Sequence, residues 1–391
     1  MDNNDFLGSF AQENVVFKTQ VVKSVSVGDN FWKTMIFVEK DRFVDTSATD
    51  WIDAPGLTDV KCCSVSADTY ASLTKGLLQS WLYDLFCNGF NGDCILVACA
   101  EKVAEAETPG QEDTEAFIKG MTDAYNALKA YAYHKTVCAG NDNKVLAPIA
   151  VALAKLCATD KQLLSSAPYY PYTTVTPETL TSDELYSALS TAKVDAFMSC
   201  HADTTRNGAL YSLGLALANI NGSGTSVGTS MDMIKSSMIS PSGESGKNLS
   251  KTIRDTLYSA HIQTFKSIGD NTGNVAAMGD MTIQGDIVSA SWIIAYVTYM
   301  SKVRIAQMIT VPDFLKNAIN YGNIVSVLNI YLPMFGVDGS GRLSGINISA
   351  PAFANLPSAD KDEIIIPNAW SATYTDHVRK VQITGSLYIG A

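Results

Sequence analysis

Between Trp51 and Gly269 short apolar runs alternate with amphipathic stretches, and this rhythm constrains the fold more than any other feature of the chain. The runs VKCCSV (60–65), CILVACA (94–100), KTVCAG (135–140) and VDAFMSC (194–200) carry apolar residues at consecutive positions, as strands buried on both faces do. Between them, Tyr70, Leu73, Leu77, Trp81 and Leu85 recur at helical spacing, as do Phe117, Met121, Ala124, Leu128 and Tyr131. Further helices are predicted over 144–157, 182–192 and 208–218. Strands alternating with helices predict a mainly parallel sheet covered on both faces. The tract SSAPYYPYTTVTP (165–177) reads as irregular, and the Gly-, Ser- and Thr-rich segment 221–246 as a long exposed loop or a lid.

The flanks have other rhythms. In NVVFKTQVVKSVSV (14–27), Val21, Val25 and Val27 share one parity, a turn falls at Gly28–Asn30, and FWKTMIFVEK (31–40) reads as a second strand. After Asp270 a turn at Gly285-Asp286 leads to a long apolar helix starting near Ile287. A second helix, 317–336, is stopped by Pro333 and Gly336. Strand-like GRLSGINISAP, the turn SADKDE, and the strands IIIP and WSATY follow. From Arg379 the last residues alternate, with Val381, Ile383, Gly385, Leu387 and Ile389 on one side. The expected class is α/β together with α+β: an N-terminal unit (1–50) packing with a C-terminal α+β domain (270–391), and an α/β domain (51–269) inserted between them.

Composition narrows the function. Apolar residues make up 47% and charged residues 17%, which suggests that part of the surface is buried against other chains. The net charge of −11 and a pI near 4.8 argue against direct nucleic-acid binding and against anionic membranes. The first ten residues lack the pattern of a signal peptide, and ASWIIAYVTYM (290–300) is about half a membrane span, so a cytoplasm-like compartment without membrane insertion is expected. The eight cysteines form no CxxC pair and mostly sit in or beside apolar runs, so they read as small buried hydrophobes; a disulfide framework or a zinc site is the alternative. His134, His201, His261 and His377 are too scattered to propose a metal cluster.

Four stretches look chemical. SPSGESGKN (240–248) misses the phosphate loop, with Pro241 in place of its first glycine and Asn248 in place of Ser or Thr. GSGTSVG (222–228) misses the dinucleotide fingerprint by one residue and follows a helix rather than a strand. DGSGRLSG (338–345) has Arg342 and Gly345 where a calcium loop needs oxygen ligands. In CHAD (200–203) the thiol and imidazole are adjacent on a strand and point to opposite faces. No catalytic residue, cofactor site or metal site is assigned.

The order of the C-terminal elements carries a resemblance: the Gly285-Asp286 turn, the helix with Trp292, the second helix ending in glycine, a short strand, then WSATYTDHVRKVQITGSLYI. In this order the chain resembles the C-terminal domain of contractile bacteriophage tail sheath proteins of the short, minimal type, over about 270–391 and the two N-terminal strands. The resemblance implies a sheath-like C-terminal domain completed by N-terminal strands, and terminal arms that each add a strand to a neighbouring subunit's sheet. Val15, Phe17, Val21 and Val25 would then belong to the N-terminal arm, and Val381, Ile383, Leu387 and Ile389 to the C-terminal arm. Lys302, Arg304 and Lys316 would face the tail tube. The implied assembly is of hexameric rings stacked helically around a tube protein, with baseplate and tail terminator proteins as further partners. It would form in the host cytoplasm, reside in the virion tail, and contract to drive the tube through the host envelope. The alternatives are another virion structural protein (tube, baseplate or capsid-associated) and an α/β enzyme.

Overall fold

A computed structural model describes residues 33–40, 42–100, 111–140, 142–159, 165–170, 176–201, 205–220, 227, 235–236, 249–267, 275–309, 315, 317–357 and 369–375. The protein is mixed α/β, built on a mainly parallel sheet. Ten strands contribute to it: β1 (Thr34–Glu39), β2 (Ile52–Asp53), β3 (Lys61–Val65), β4 (Cys94–Ala100), β5 (His134–Cys138), β6 (Ser165–Tyr169), β7 (Phe197–Cys200), β8 (Lys235–Ser236), β9 (Ile262–Ser267) and β10 (Val275–Met278). Their order across the sheet is β2-β3-β4-β1-β5-β6-β7-β9-β10-β8. From β4 to β9 every neighbouring pair is parallel, and the pairs outside that block are antiparallel.

The continuous apolar runs form the middle of this sheet because they have an apolar layer to meet on each side. Over one face lie α1 (Tyr70–Leu73), α2 (Leu77–Phe86) and, later in the chain, α7 (Gly208–Ile220) and α9 (Val288–Ile309). Their Trp81, Leu85, Leu210, Leu213, Trp292 and Ile293 share one apolar cluster with Ile36 and Val38 of β1. The other face is covered by α3 (Gln111–Leu128), α4 (Asn143–Thr159), α6 (Glu184–Ala192) and α8 (Lys251–Ser259). There Phe117, Met121, Leu146, Ile149, Leu185 and Leu257 meet Met35 and Phe37 of β1. The short α5 (Pro177–Thr181) precedes α6; Thr176 caps the first and Asp183 the second, each accepting a backbone N–H three residues on.

The expected helix over 70–85 is two helices, parted where Thr74 is extended and Gly76 takes φ +60. The tract 165–177 contains a strand that sequence reading misses. β6 has no β-branched residue and contains Pro168. The proline fits because β6 pairs with β5 only at Ser165 and Ser166, so Pro168 keeps strand neighbours on the β7 side alone.

The larger difference concerns Phe31–Lys40, expected to belong with the C-terminal domain. Thr34–Glu39 instead lies in the middle of the main sheet, paired with β4 on one side and β5 on the other. All six of its residues are buried, which is the pattern of a central parallel strand. Contact with the C-terminal part does occur, through the Ile36 and Val38 face that meets α9. The sheet also runs across the expected 269/270 boundary, since β10 pairs with β9.

Beyond α9 come α10 (Ala318–Tyr331), 3-10 turns at Pro333–Phe335 and Phe353–Asn355, and a separate two-stranded antiparallel sheet of β11 (Leu343–Ile348) and β12 (Trp370–Tyr374). All eight cysteines are free thiols, six buried and Cys87 and Cys99 half-buried, which matches their reading as small hydrophobes. No helix among the described residues is long and apolar enough to cross a membrane.

Candidate functional site

Two regions have geometry that invites a functional reading. The first is the crevice where open α/β sheets place ligands, outside the carboxyl ends of the strands at the point where the strand order reverses. Here β1 connects onward to the β4 side and β5 to the β6 side, so the reversal lies between β1 and β5. Near it, a chain of polar contacts joins three elements. Arg206 Nε lies 3.2 Å from Asp84 Oδ1, and the Asn207 backbone N–H donates to Asp84 Oδ2 at 3.0 Å. Asn207 Oδ1 accepts from Leu210 N at 3.0 Å, capping α7, while its Nδ2 donates to the Cys138 sulfur at 3.5 Å. Asp84 and Asn207 are both buried.

This chain fastens α2 and the start of α7 to the end of β5. Burial pushes the Cys138 thiol well up, with the Asn207 hydrogen bond opposing, so the sulfur is a protonated thiol at neutral pH. Burial likewise pushes the Tyr170 hydroxyl well up. Cys200 and His201 lie toward opposite faces: Cys200 sits in the cluster under α4, whereas the His201 ring meets Tyr211 and Phe265 of the other cluster. The expectation that they do not act as a pair agrees with this placement. DGSGRLSG forms turns up to Gly341 before β11 begins, as expected.

The second region is the small sheet. Its strands alternate: Ile346, Ile348, Trp370, Ala372 and Tyr374 are half-buried and pack against the core, while Ser344, Asn347, Ser371 and Thr373 are exposed. A register shift interrupts the ladder between Ser344 and Asn347, beside Gly345 at φ +59. Among the described residues this sheet has two strands, and each strand has one backbone edge beyond the ladder they share.

A set of hydrogen bonds ties the sheet to the rest of the molecule. The buried Asp280 carboxylate accepts from the Ser289 backbone N–H at 3.2 Å and from the Ser289 hydroxyl, at the start of α9. Ser289 Oγ is 2.9 Å from the Tyr374 hydroxyl. Arg342 Nη1 donates to the Val227 carbonyl at 2.6 Å, and Thr375 N to the Arg342 carbonyl at 2.7 Å. The end of β12 is therefore locked to the first turn of the longest helix. A pocket of about 190 Å³ opens next to this joint, lined by Tyr258, Ser259, His261, Gly279, Asp280 and Met281.

The residues assigned from sequence fall as follows. Val15, Phe17, Val21 and Val25, with Val381, Ile383, Leu387 and Ile389, lie outside the described residues, as does Lys316. Lys302 and Arg304 are both on α9, but two residues apart on a helix places them about 200° apart. Arg304 is exposed and Lys302 only 3% exposed, so the expected basic face does not form from this pair. Sequence reading missed the Asp84–Arg206–Asn207 chain, in which Asp84 stands more than 120 positions from the other two. It also missed Asp280, which stands eight positions before α9 and so outside the position immediately before a helix where a capping signal is read.

No family model matches the chain, and no curated protein matches it.

Proposed function

We propose that the chain is a structural subunit of a contractile tail sheath, polymerising as stacked rings around a tail tube. The observation that carries this reading is the two-stranded β11–β12 sheet. A two-stranded sheet is marginal in water, and gains stability when further strands extend it or a helix covers it. One face of this one lies on the core, and among the described residues no third strand is paired with it. In the proposal, Asn14–Val27 and Val381–Ile389 of neighbouring copies complete it by β-augmentation. A nine-residue strand is about 30 Å long and adds some six to nine ladder bonds, each worth about 0.5–1.5 kcal/mol. One such arm holds moderately after its ordering cost, and two arms per subunit hold a lattice while the subunits pivot. The Asp280–Ser289–Tyr374 joint would pass load from the mesh into α9. Arg304 and Lys316 are the tube-facing residues this reading retains.

Removing Val381–Ala391 tests it. The shortened chain is expected to fold, to remain soluble, and to lose polymerisation. Unfolding on truncation would place that strand in its own subunit's core and overturn the proposal.

A second reading, an α/β enzyme, draws on the position of the Asp84–Arg206–Asn207–Cys138 chain near the strand-order reversal. A small molecule bound there, with activity lost on Asp84→Asn, would favour it over assembly.

A further inference from the structure

We infer that the pocket beside the Asp280–Ser289–Tyr374 joint is a binding site for an organic cation, an alkylammonium or alkylguanidinium group. Its lining comes from two short stretches that fold against one another. Tyr258, Ser259 and His261 stand at the end of α8, and Gly279, Asp280 and Met281 follow β10 on the way to α9. Both stretches rest on backbone that few residues accept. The Ala260 N–H donates to the Thr256 and Leu257 carbonyls and ends α8. His261 then takes φ +62, a left-handed conformation uncommon for a residue with a side chain. Gly279 takes φ +119, and a Cβ there would stand 3.2 Å from the Gln263 Cα, so β9 and the end of β10 approach through a glycine.

Charge chooses the ligand. Asp280 is 1% exposed while Ser259 is exposed, so the pocket leads from the surface to a buried carboxylate. Because α8 ends here, the negative end of its dipole lies at the same place, and its last turn carries no basic residue. None of the six lining residues is a lysine or an arginine, so the pocket walls do not supply the positive group that this field favours. An anion would be repelled by both features, and a neutral apolar molecule would strip water from the carboxylate without replacing it. The His261 ring has no hydrogen-bond partner among the described residues and in its neutral form offers one acceptor nitrogen to an N–H donor. Tyr258 and Met281 are half-buried and give an alkyl stem an apolar wall. Size agrees. The pocket of about 190 Å³ has roughly the volume of six liquid waters, room for a guanidinium on a short stem but not for a nucleotide. Free amines and the basic side chains of a neighbouring copy carry the same groups. The site itself stands apart from the assembly reading.

Saturation-transfer NMR on the full-length chain tests the site, with n-butylguanidinium as the probe and butyrate and n-butanol as controls of the same stem. Butylguanidinium should bind with a dissociation constant of about 10 mM or tighter, and at least about tenfold tighter than either control. Ser259→Trp fills the exposed side of the pocket and Asp280→Asn removes its charge, so each should weaken binding by at least about tenfold. Asp280 also holds the start of α9, so Ser259→Trp, at an exposed position, carries the test if Asp280→Asn does not fold. Sedimentation of the Ser259→Trp chain separates the two sources. Association shifted to higher concentration, together with lost probe binding, identifies a neighbour's basic side chain; unchanged association with lost probe binding identifies a free amine. No binding of butylguanidinium, equal binding of butyrate, or binding that Ser259→Trp leaves intact would each overturn the site.

Discussion

His134 shows how single residues carry the cost of the buried interior. Its ring is fully buried at the start of β5, between Tyr133 at 4.7 Å and Trp292 at 4.6 Å between centroids, and neither ring nitrogen has a hydrogen-bond partner. Burial, with the neighbouring Lys135 charge adding, lowers its pKa to about 3. The unfolded chain therefore binds one more proton than the folded one between about pH 3 and the ordinary value of 6.5. Stability from this group is complete above pH 6.5 and falls as the pH drops, by at most about 1.4 kcal/mol per unit. Denaturant titrations from pH 7 to 4.5 should show that slope, and His134→Phe should remove this group's share of it. Lys302 has the same logic with a different window. Burial lowers its pKa to about 8 from 10.5, so below pH 8 the fold holds a charged amine out of water, and stability rises as the pH goes from 8 to 10.5. Lys302→Met is expected to stabilise the protein at pH 7 by roughly 1–3 kcal/mol, with the gain shrinking toward pH 10.5. Equal melting temperatures for the two proteins at pH 7 would contradict this. Neither position was legible in the sequence, because burial of a lysine or histidine is set by elements far away along the chain.

At the scale of elements, legibility followed pattern strength. The runs around β3, β4, β5 and β7 and the stripes of α3, α4 and α7 were readable because both faces of each strand, and one face of each helix, meet apolar layers. β6 was not, since Ser165, Ser166 and Pro168 carry no strand signature and are held by their neighbours. β1 was readable as a strand but was assigned to the wrong neighbours. Its unbroken burial, rather than the alternation of Asn14–Val27, was the clue that it belongs between parallel strands. The β11–β12 ladder was legible only as two separate strands, because pairing across the intervening 21 positions leaves no local trace. Helix packing adds its own constraint. A Cβ at Gly214 of α7 would strike the Leu85 carbonyl of α2, so the two helices approach through a glycine. Gly214→Ala should destabilise the fold by about 1–3 kcal/mol, read from chemical denaturation, although alanine is the better helix former by up to ~1 kcal/mol. A neutral or stabilising result would mean that α2 and α7 can separate without loss.

For the whole molecule, the sheet, its two apolar clusters and the C-terminal helices form the body, and the small β11–β12 sheet is fastened to it by Ser289 and Tyr374. The strand order reverses between β1 and β5, and near that point a polar chain joins α2, α7 and β5. The small sheet and the uncharged helix α10 lie in the C-terminal part. The proposed assembly builds on the two-stranded sheet: in that proposal, strands supplied by neighbouring copies extend it, and the body follows the movement of its edges. Among the described residues, the C-terminal order of two helices followed by the strands β11 and β12 was legible from sequence, whereas the predicted strand IIIP and the last strand lie outside them. The exposed side of α10 was not legible, because an apolar helix with no charge reads as interior until its neighbours are known. Negative-stain electron microscopy of the purified full-length chain is the most direct test. Six-fold rings or hollow cylinders are the predicted result, and a field of single particles at every concentration would contradict the account.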